Sequence, residues 1–98
     1  MKAITKFIRQ RLRAWNKKGY SSLAINNGNC HVFASELKKR FPKGYMLWGE
    51  DNPHLFKTNV CPVGHCFFAL NGTYYDSESP NGVKRPDDLK YYKRSNTH

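Results

Sequence analysis

Between Ala3 and about Trp15 the apolar residues Ile4, Phe7, Ile8, Leu12 and Trp15 recur at intervals of three and four, and Lys and Arg fill the remaining positions. That period predicts an amphipathic helix with one basic face, ended by Asn16-Lys17-Lys18-Gly19. A second stripe at the same spacing, Cys30, Phe33, Ala34, Leu37 and Phe41, predicts a helix from about Cys30 to Arg40 that Pro42 prevents from continuing. Residues 20–29 between them read as a loop, rich in Ser and Asn around the short apolar patch Leu23-Ala24-Ile25. The period then shortens. Tyr45-Met46-Leu47-Trp48 reads as a first strand, and residues 49–63 as a long connection with an extended piece near Leu55-Phe56-Lys57. The firmest signal is Asn71-Gly72 set between His65-Cys66-Phe67-Phe68-Ala69-Leu70 and Thr73-Tyr74-Tyr75-Asp76-Ser77, a hairpin with a two-residue turn. Such a turn pairs Leu70 with Thr73 and puts His65, Phe67, Tyr74, Asp76 and Glu78 on one face. Both hairpin faces carry large apolar groups, so each needs cover. Beyond Pro80-Asn81-Gly82, the run Pro86-Asp87-Asp88-Leu89-Lys90-Tyr91-Tyr92 predicts a short helical turn or an edge segment.

These elements make an α+β chain, with N-terminal helices, one of them starting at a cysteine, packed on a small antiparallel sheet. At 98 residues the length suits one domain, 1–98, with one modest core. Mean hydropathy is low, -0.78, but 39% hydrophobic and 14% aromatic residues argue for a folded chain. Charge adds a second feature: 17 Lys and Arg against 7 Asp and Glu give a formal +10. Residues 1–18 hold Lys2, Lys6, Arg9, Arg11, Arg13, Lys17 and Lys18 and no acid. That field attracts nucleic acid, acidic protein surfaces or anionic lipid without choosing among them. A helix docked on the core with its charged face solvated accounts for the same pattern with fewer assumptions. No apolar run has the length of a signal peptide or membrane span. Three cysteines are an odd number and make no self-contained disulfide framework, so the expected setting is reducing and cytoplasmic.

The candidate chemistry begins at Asn26-Asn27-Gly28-Asn29-Cys30. Asn29 is a favoured helix N-cap, which places Cys30 at the positive end of the helix, where the reactive thiolate is favoured over the thiol. In the hairpin register Asp76 lies diagonally across from His65, about 7–8 Å between backbones and within side-chain reach, while Glu78 lies directly opposite and is the rival. A carboxylate there fixes the imidazole tautomer while the other ring nitrogen serves a thiol. Cys30, His31, Cys61, His65 and Cys66 are also zinc-ligand types. Cys30-His31 and His65-Cys66 are adjacent pairs, however, without the gap of two to four residues that structural zinc sites use, so no metal or other cofactor is expected. His31 reads as a surface or loop-packing residue and Cys66 as core facing away from His65. Cys61 reads as loop or core, His54 shows no role and His98 is terminal.

A cysteine at a helix start, then a histidine at a strand start, then a polar orienter on the next strand resembles the papain-like cysteine peptidase superfamily. The likeness is greatest to its small relatives, the transglutaminase-like proteins and bacterial cell-wall endopeptidases. It is carried by Gly28-Asn29-Cys30-His31-Val32-Phe33-Ala34, by Gly64-His65-Cys66-Phe67-Phe68-Ala69-Leu70-Asn71-Gly72 and by Tyr74-Tyr75-Asp76, roughly residues 26–78. The resemblance implies a papain-like core with Cys30 as nucleophile, His65 as general base and then acid, and Asp76 as orienter. Papain stabilises its oxyanion with a glutamine upstream of the cysteine. This chain has none between Gln10 and Cys30, which leaves Asn26 or Asn27, with the backbone N–H of Cys30, as substitutes. The implied activity is a thiol hydrolase or acyltransferase acting on an amide, isopeptide or thioester bond of a protein or peptide, including acidic ones. The alternative is a basic, non-catalytic binding module on the same fold for an acidic partner such as nucleic acid. Compact chains of this kind also resemble bacteriophage products, for which the setting would be the host cytoplasm.

Overall fold

The structure, a computed structural model, describes residues 1–56 and 64–95. Expectations for Lys57, Cys61, His98 and the second half of the 49–63 connection lie outside the described residues.

The first apolar stripe forms α1, Ala3–Lys17, which buries Ile4, Thr5 and Ile8 and half-buries Phe7, Leu12 and Trp15. The expected loop at 20–29 contains a short helix instead, α2, Ser22–Asn26. Ser21 explains it, since its side-chain oxygen accepts the Ala24 N–H at 3.1 Å, and burial of Ile25 anchors the single turn. The second stripe forms α3, Cys30–Arg40, with Cys30, Phe33, Ala34 and Leu37 buried. Lys38 Nζ closes its C-terminal end by donating to the carbonyls of Pro42 and Gly44.

Strand β1, Tyr45–Trp48, pairs antiparallel with β2, Cys66–Leu70, which pairs with β3, Thr73–Asp76. Asn71 (φ 53°) and Gly72 (φ 75°) both take the left-handed conformation that the tight hairpin turn requires, and Leu70 pairs with Thr73 as expected. A fourth strand, β4, Ser79–Val83, has no counterpart in the hydrophobic pattern. Its sequence Ser-Pro-Asn-Gly-Val alternates poorly, and Pro80 is tolerated because β4 lies at the edge of the sheet order β1-β2-β3-β4. A bulge in the β3–β4 pairing lies between Tyr74 and Asp76. The piece near Leu55 is a single 3-10 turn, Pro53–Leu55, rather than extended, following another at Gly49–Asp51. The tail forms a 3-10 turn, Pro86–Asp88, and then α4, Lys90–Ser95. Among the described residues no helix is long and apolar enough to cross a membrane.

The described chain is therefore α+β, four α-helices and a four-stranded antiparallel sheet. Alternation along the strands sends side chains to two different cores. Phe68 and Tyr75 join Ile4, Ile8, Ile25, Phe33 and Leu37 beneath α1, α2 and α3. Phe67 points the other way, to Leu89 and Tyr92, with Leu47, Phe56 and Tyr74 around them. Phe67 and Phe68 are both fully buried, each adding about 1.5–3 kcal/mol of transfer free energy.

Gly44 lets β1 lie close on β2. A Cβ there would meet the ring of Phe68 and sit 2.8 Å from the Ala69 carbonyl oxygen. Gly44→Ala should therefore destabilise the fold by about 1–3 kcal/mol through overpacking. A urea midpoint unchanged from wild type would show that this approach is not constrained.

Candidate active site

Three chain segments meet at the end of the sheet where β2 begins and β3 finishes. Asn29 stands at the cap position of α3, but its φ of -121° and ψ of 18° are not the extended cap geometry, and its side chain makes no capping hydrogen bond. The expected cap therefore fails. Its consequence for the sulfur survives in another form, because the His31 N–H in the first helical turn serves Cys30 directly. A further donor comes from the sheet: the Cys66 N–H points at Cys30 Sγ, 3.4 Å away. Cys30 is 6% exposed, packed with Ala34 and Cys66 under Met46 and Trp48.

His65 immediately precedes β2 and is completely buried. Its Nε2 lies 2.9 Å from Asp76 Oδ2. The other Asp76 oxygen, Oδ1, accepts the Glu78 N–H at 3.0 Å, which fixes the carboxylate in the turn between β3 and β4. With Nε2 committed to Asp76, Nδ1 is the ring nitrogen left for Cys30; it is buried and makes no aligned hydrogen bond among the described residues. Aromatic rings enclose the imidazole. Tyr91 stacks on it with centroids 3.9 Å apart and planes 8° from parallel, Tyr92 meets it edge-on at 5.5 Å, and Phe67 lies tilted at 6.2 Å.

Burial opposes ionisation of Cys30, but the neighbouring His65 imidazole, the Cys66 N–H and the His31 N–H together outweigh it and lower the thiol pKa. Burial likewise works against a charged His65. The hydrogen bond to Asp76, the neighbouring Cys30 sulfur and the negative charges of both reverse that and raise its pKa. The two shifts favour a thiolate and imidazolium pair, bounded at low pH by protonation of Cys30 and at high pH by deprotonation of His65. Cys66 behaves oppositely. Burial and then the neighbouring charge of Cys30 push its thiol up to about 12, as suits a core residue that is 1% exposed.

The remaining expected positions separate cleanly. Glu78 does not contact His65; its carboxylate accepts from Asn26 Nδ2 at 2.8 Å and from Arg94 Nη1. Its partners lower its pKa against the effect of burial, the Arg94 hydrogen bond first and the Asn26 hydrogen bond next. Asn26, buried at the end of α2, has thus committed its amide N–H₂ to Glu78, while its Oδ1 has no hydrogen-bond partner among the described residues. Asn27 is exposed at the C-terminal end of α2. His31 is exposed and stacks on Trp48 at 6.1 Å, and His54 is exposed on a 3-10 turn. Among the described residues no three His, Cys, Asp or Glu side chains gather as a metal site would need. Two contributors escaped sequence reasoning, the Cys66 N–H and the Tyr91-Tyr92 pair. The only sequence signal for the latter was two adjacent aromatics in an otherwise basic tail.

Comparison with protein-family models, with curated proteins and with solved structures found no match.

Brief iodoacetamide treatment near neutral pH should alkylate Cys30 far ahead of Cys66, at a rate that rises below the pH range of an ordinary thiol. His65→Ala should move that rise to higher pH, because burial of the sulfur is then opposed by fewer partners. Peptide mapping by mass spectrometry reads both effects. Equal labelling of the two thiols in the folded protein would contradict the assignment.

Proposed function

We propose that this chain is a papain-like thiol hydrolase or acyltransferase that attacks an amide, isopeptide or thioester carbonyl through Cys30, His65 and Asp76. The observation that supports the reading best is the buried 2.9 Å contact between His65 and Asp76 beside a sulfur at a helix start whose thiol pKa is lowered. In this reading the Cys30 thiolate bonds to the carbonyl carbon and the π electrons move to oxygen, where the first-turn N–H of Cys30 can receive the charge. Collapse expels the amine or thiol leaving group, which takes the proton from His65 Nδ1, and leaves an acyl thioester. His65 then takes a proton from water or from an acceptor nucleophile, whose attack on the thioester carbonyl releases the product and regenerates the thiolate. Asp76 holds the ring and its charge throughout. Asn26 as placed here is engaged by Glu78, so the oxyanion role falls first to backbone. A reducing cytoplasmic setting suits a nucleophilic thiol, and a protein or peptide is the substrate class this chemistry serves.

Acylation of Cys30 by an activated ester, followed across pH, tests the reading without knowledge of the natural substrate. Asp76→Asn should lower the rate about tenfold, ~1.4 kcal/mol of transition-state stabilisation. Asp76→Ala should lower it further, and Glu78→Ala little, because Glu78 is held by Asn26 and Arg94 and not by His65. The same pH profile in wild type, Asp76→Ala and His65→Ala would leave the triad without support.

A basic binding module is the second reading, favoured by the outer face of α1. Arg11 is paired with Glu36, with Nη2 to Oε2 at 2.9 Å, whereas Lys6, Arg13, Lys17 and Lys18 are exposed. Any polyanion held there should bind weakly and without sequence preference, with affinity falling steeply as salt rises. A nanomolar, sequence-selective complex with nucleic acid in a titration at physiological salt would place this reading first.

A further inference from the structure

We propose that Tyr91 is a positioning residue for His65, its ring serving as a platform that holds the imidazolium turned towards Cys30. The proposal rests on the thiol-enzyme reading of the site and adds to it a residue on an element outside the Cys-His-Asp set.

The geometry is that of a stack rather than of incidental packing: centroids 3.9 Å apart, planes 8° from parallel. A π face at that distance attracts a cation more than a neutral ring, so Tyr91 favours the protonated imidazole over the neutral one, and the effect is strengthened where water is excluded. His65 is completely buried, with Tyr92 against its edge. Rotation of the ring about its bond to the chain would break the contact with Tyr91 and the hydrogen bond to Asp76 together. The platform is itself held from both sides in the sequence. Leu89 and Tyr92 are fully buried against Phe67, and Arg94 reaches Glu78, whose other oxygen takes the amide of Asn26. The short α4 is thereby tied through Glu78 to α2, the short helix that precedes the Cys30 helix.

Among the described residues the titratable and charged groups around the ring are few. Cys30 faces it from α3, Asp76 from β3, and Tyr91 and Tyr92 from α4. Glu50, on the turn Gly49–Asp51, and Arg94 act on Tyr91 with opposite signs. Of these, Tyr91 alone lies parallel to the imidazole, so its replacement by an aliphatic residue removes the stack.

The test measures alkylation of Cys30 by iodoacetamide as a function of pH in wild type, Tyr91→Phe and Tyr91→Leu, with far-UV and near-UV circular dichroism to verify folding. Tyr91→Leu should react about three- to tenfold more slowly near pH 6, where the thiolate depends on a protonated partner. The difference should vanish at alkaline pH, where the thiolate needs no such partner, and Tyr91→Phe should retain the wild-type profile. A second measurement needs no variant. In the NMR spectrum of the wild-type protein the His65 Cε1 proton should be shifted upfield by the Tyr91 ring current. A Tyr91→Leu profile superimposable on wild type, or a Cε1 proton without that shift, overturns the proposal while leaving the thiol chemistry of Cys30 standing. A wild-type Cys30 with no reactivity below the ordinary thiol range overturns the site reading, and this inference with it.

Discussion

Everything at this site depends on burying a histidine and a carboxylate together. With side-chain exposures of 0% and 2%, His65 and Asp76 have given up nearly all hydration, which is unfavourable by several kcal/mol for each ion unless partners replace the lost water. The carboxylate has both of its replacements, and the imidazole has one on Nε2 while its buried Nδ1 has no hydrogen-bond partner among the described residues. Asp76 receives the ring nitrogen on one oxygen and a backbone N–H on the other, and the ring faces a sulfur that gains by ionising. Breaking one member would strand the others. A pair buried in this way is weak evidence of added stability.

The sheet makes that arrangement possible by having two covered faces. Helix α3 lies on the face of Cys66 and Phe68, and brings its first residue to the start of β2. The opposite face, around Phe67, is roofed by Leu89 and Tyr92 from the C-terminal segment. His65 sits where the two coverings meet, one residue before β2 begins, and so can address a sulfur that belongs to one layer while being enclosed by aromatics of the other. A histidine one residue further along would face the α3 side, where Cys66 stands now.

Local sequence carried the main helices and the hairpin for definite physical reasons. The α1 and α3 stripes have the period of a helix and enough length to average out exceptions, and Asn71-Gly72 supplies the positive φ values that only a few residues accept without strain. Once that turn is fixed, register follows by counting, which is why the approach of His65 to Asp76 could be read before any coordinates. By contrast α2 hung on one serine cap and a single buried isoleucine, and β4 carries a proline, an asparagine and a glycine that each argue against a strand. β4 forms because β3 offers a free edge, a property of the neighbour and not of the segment.

What the sequence by itself determined is thus the set of contacts close in chain or tied by a turn: the helix start at Cys30, the hairpin, and the diagonal relation of His65 to Asp76. Only the tertiary structure decided between Asp76 and Glu78, since both were within reach in the register. Glu78 is drawn away by Asn26, 52 residues earlier, and by Arg94, 16 residues later. The same holds for the Cys66 N–H aimed at Cys30 across 36 residues, and for the Tyr91 ring laid on His65. Such contacts leave no periodic trace in a sequence, because they are fixed by how separately formed elements pack and not by the spacing of residues along any one of them.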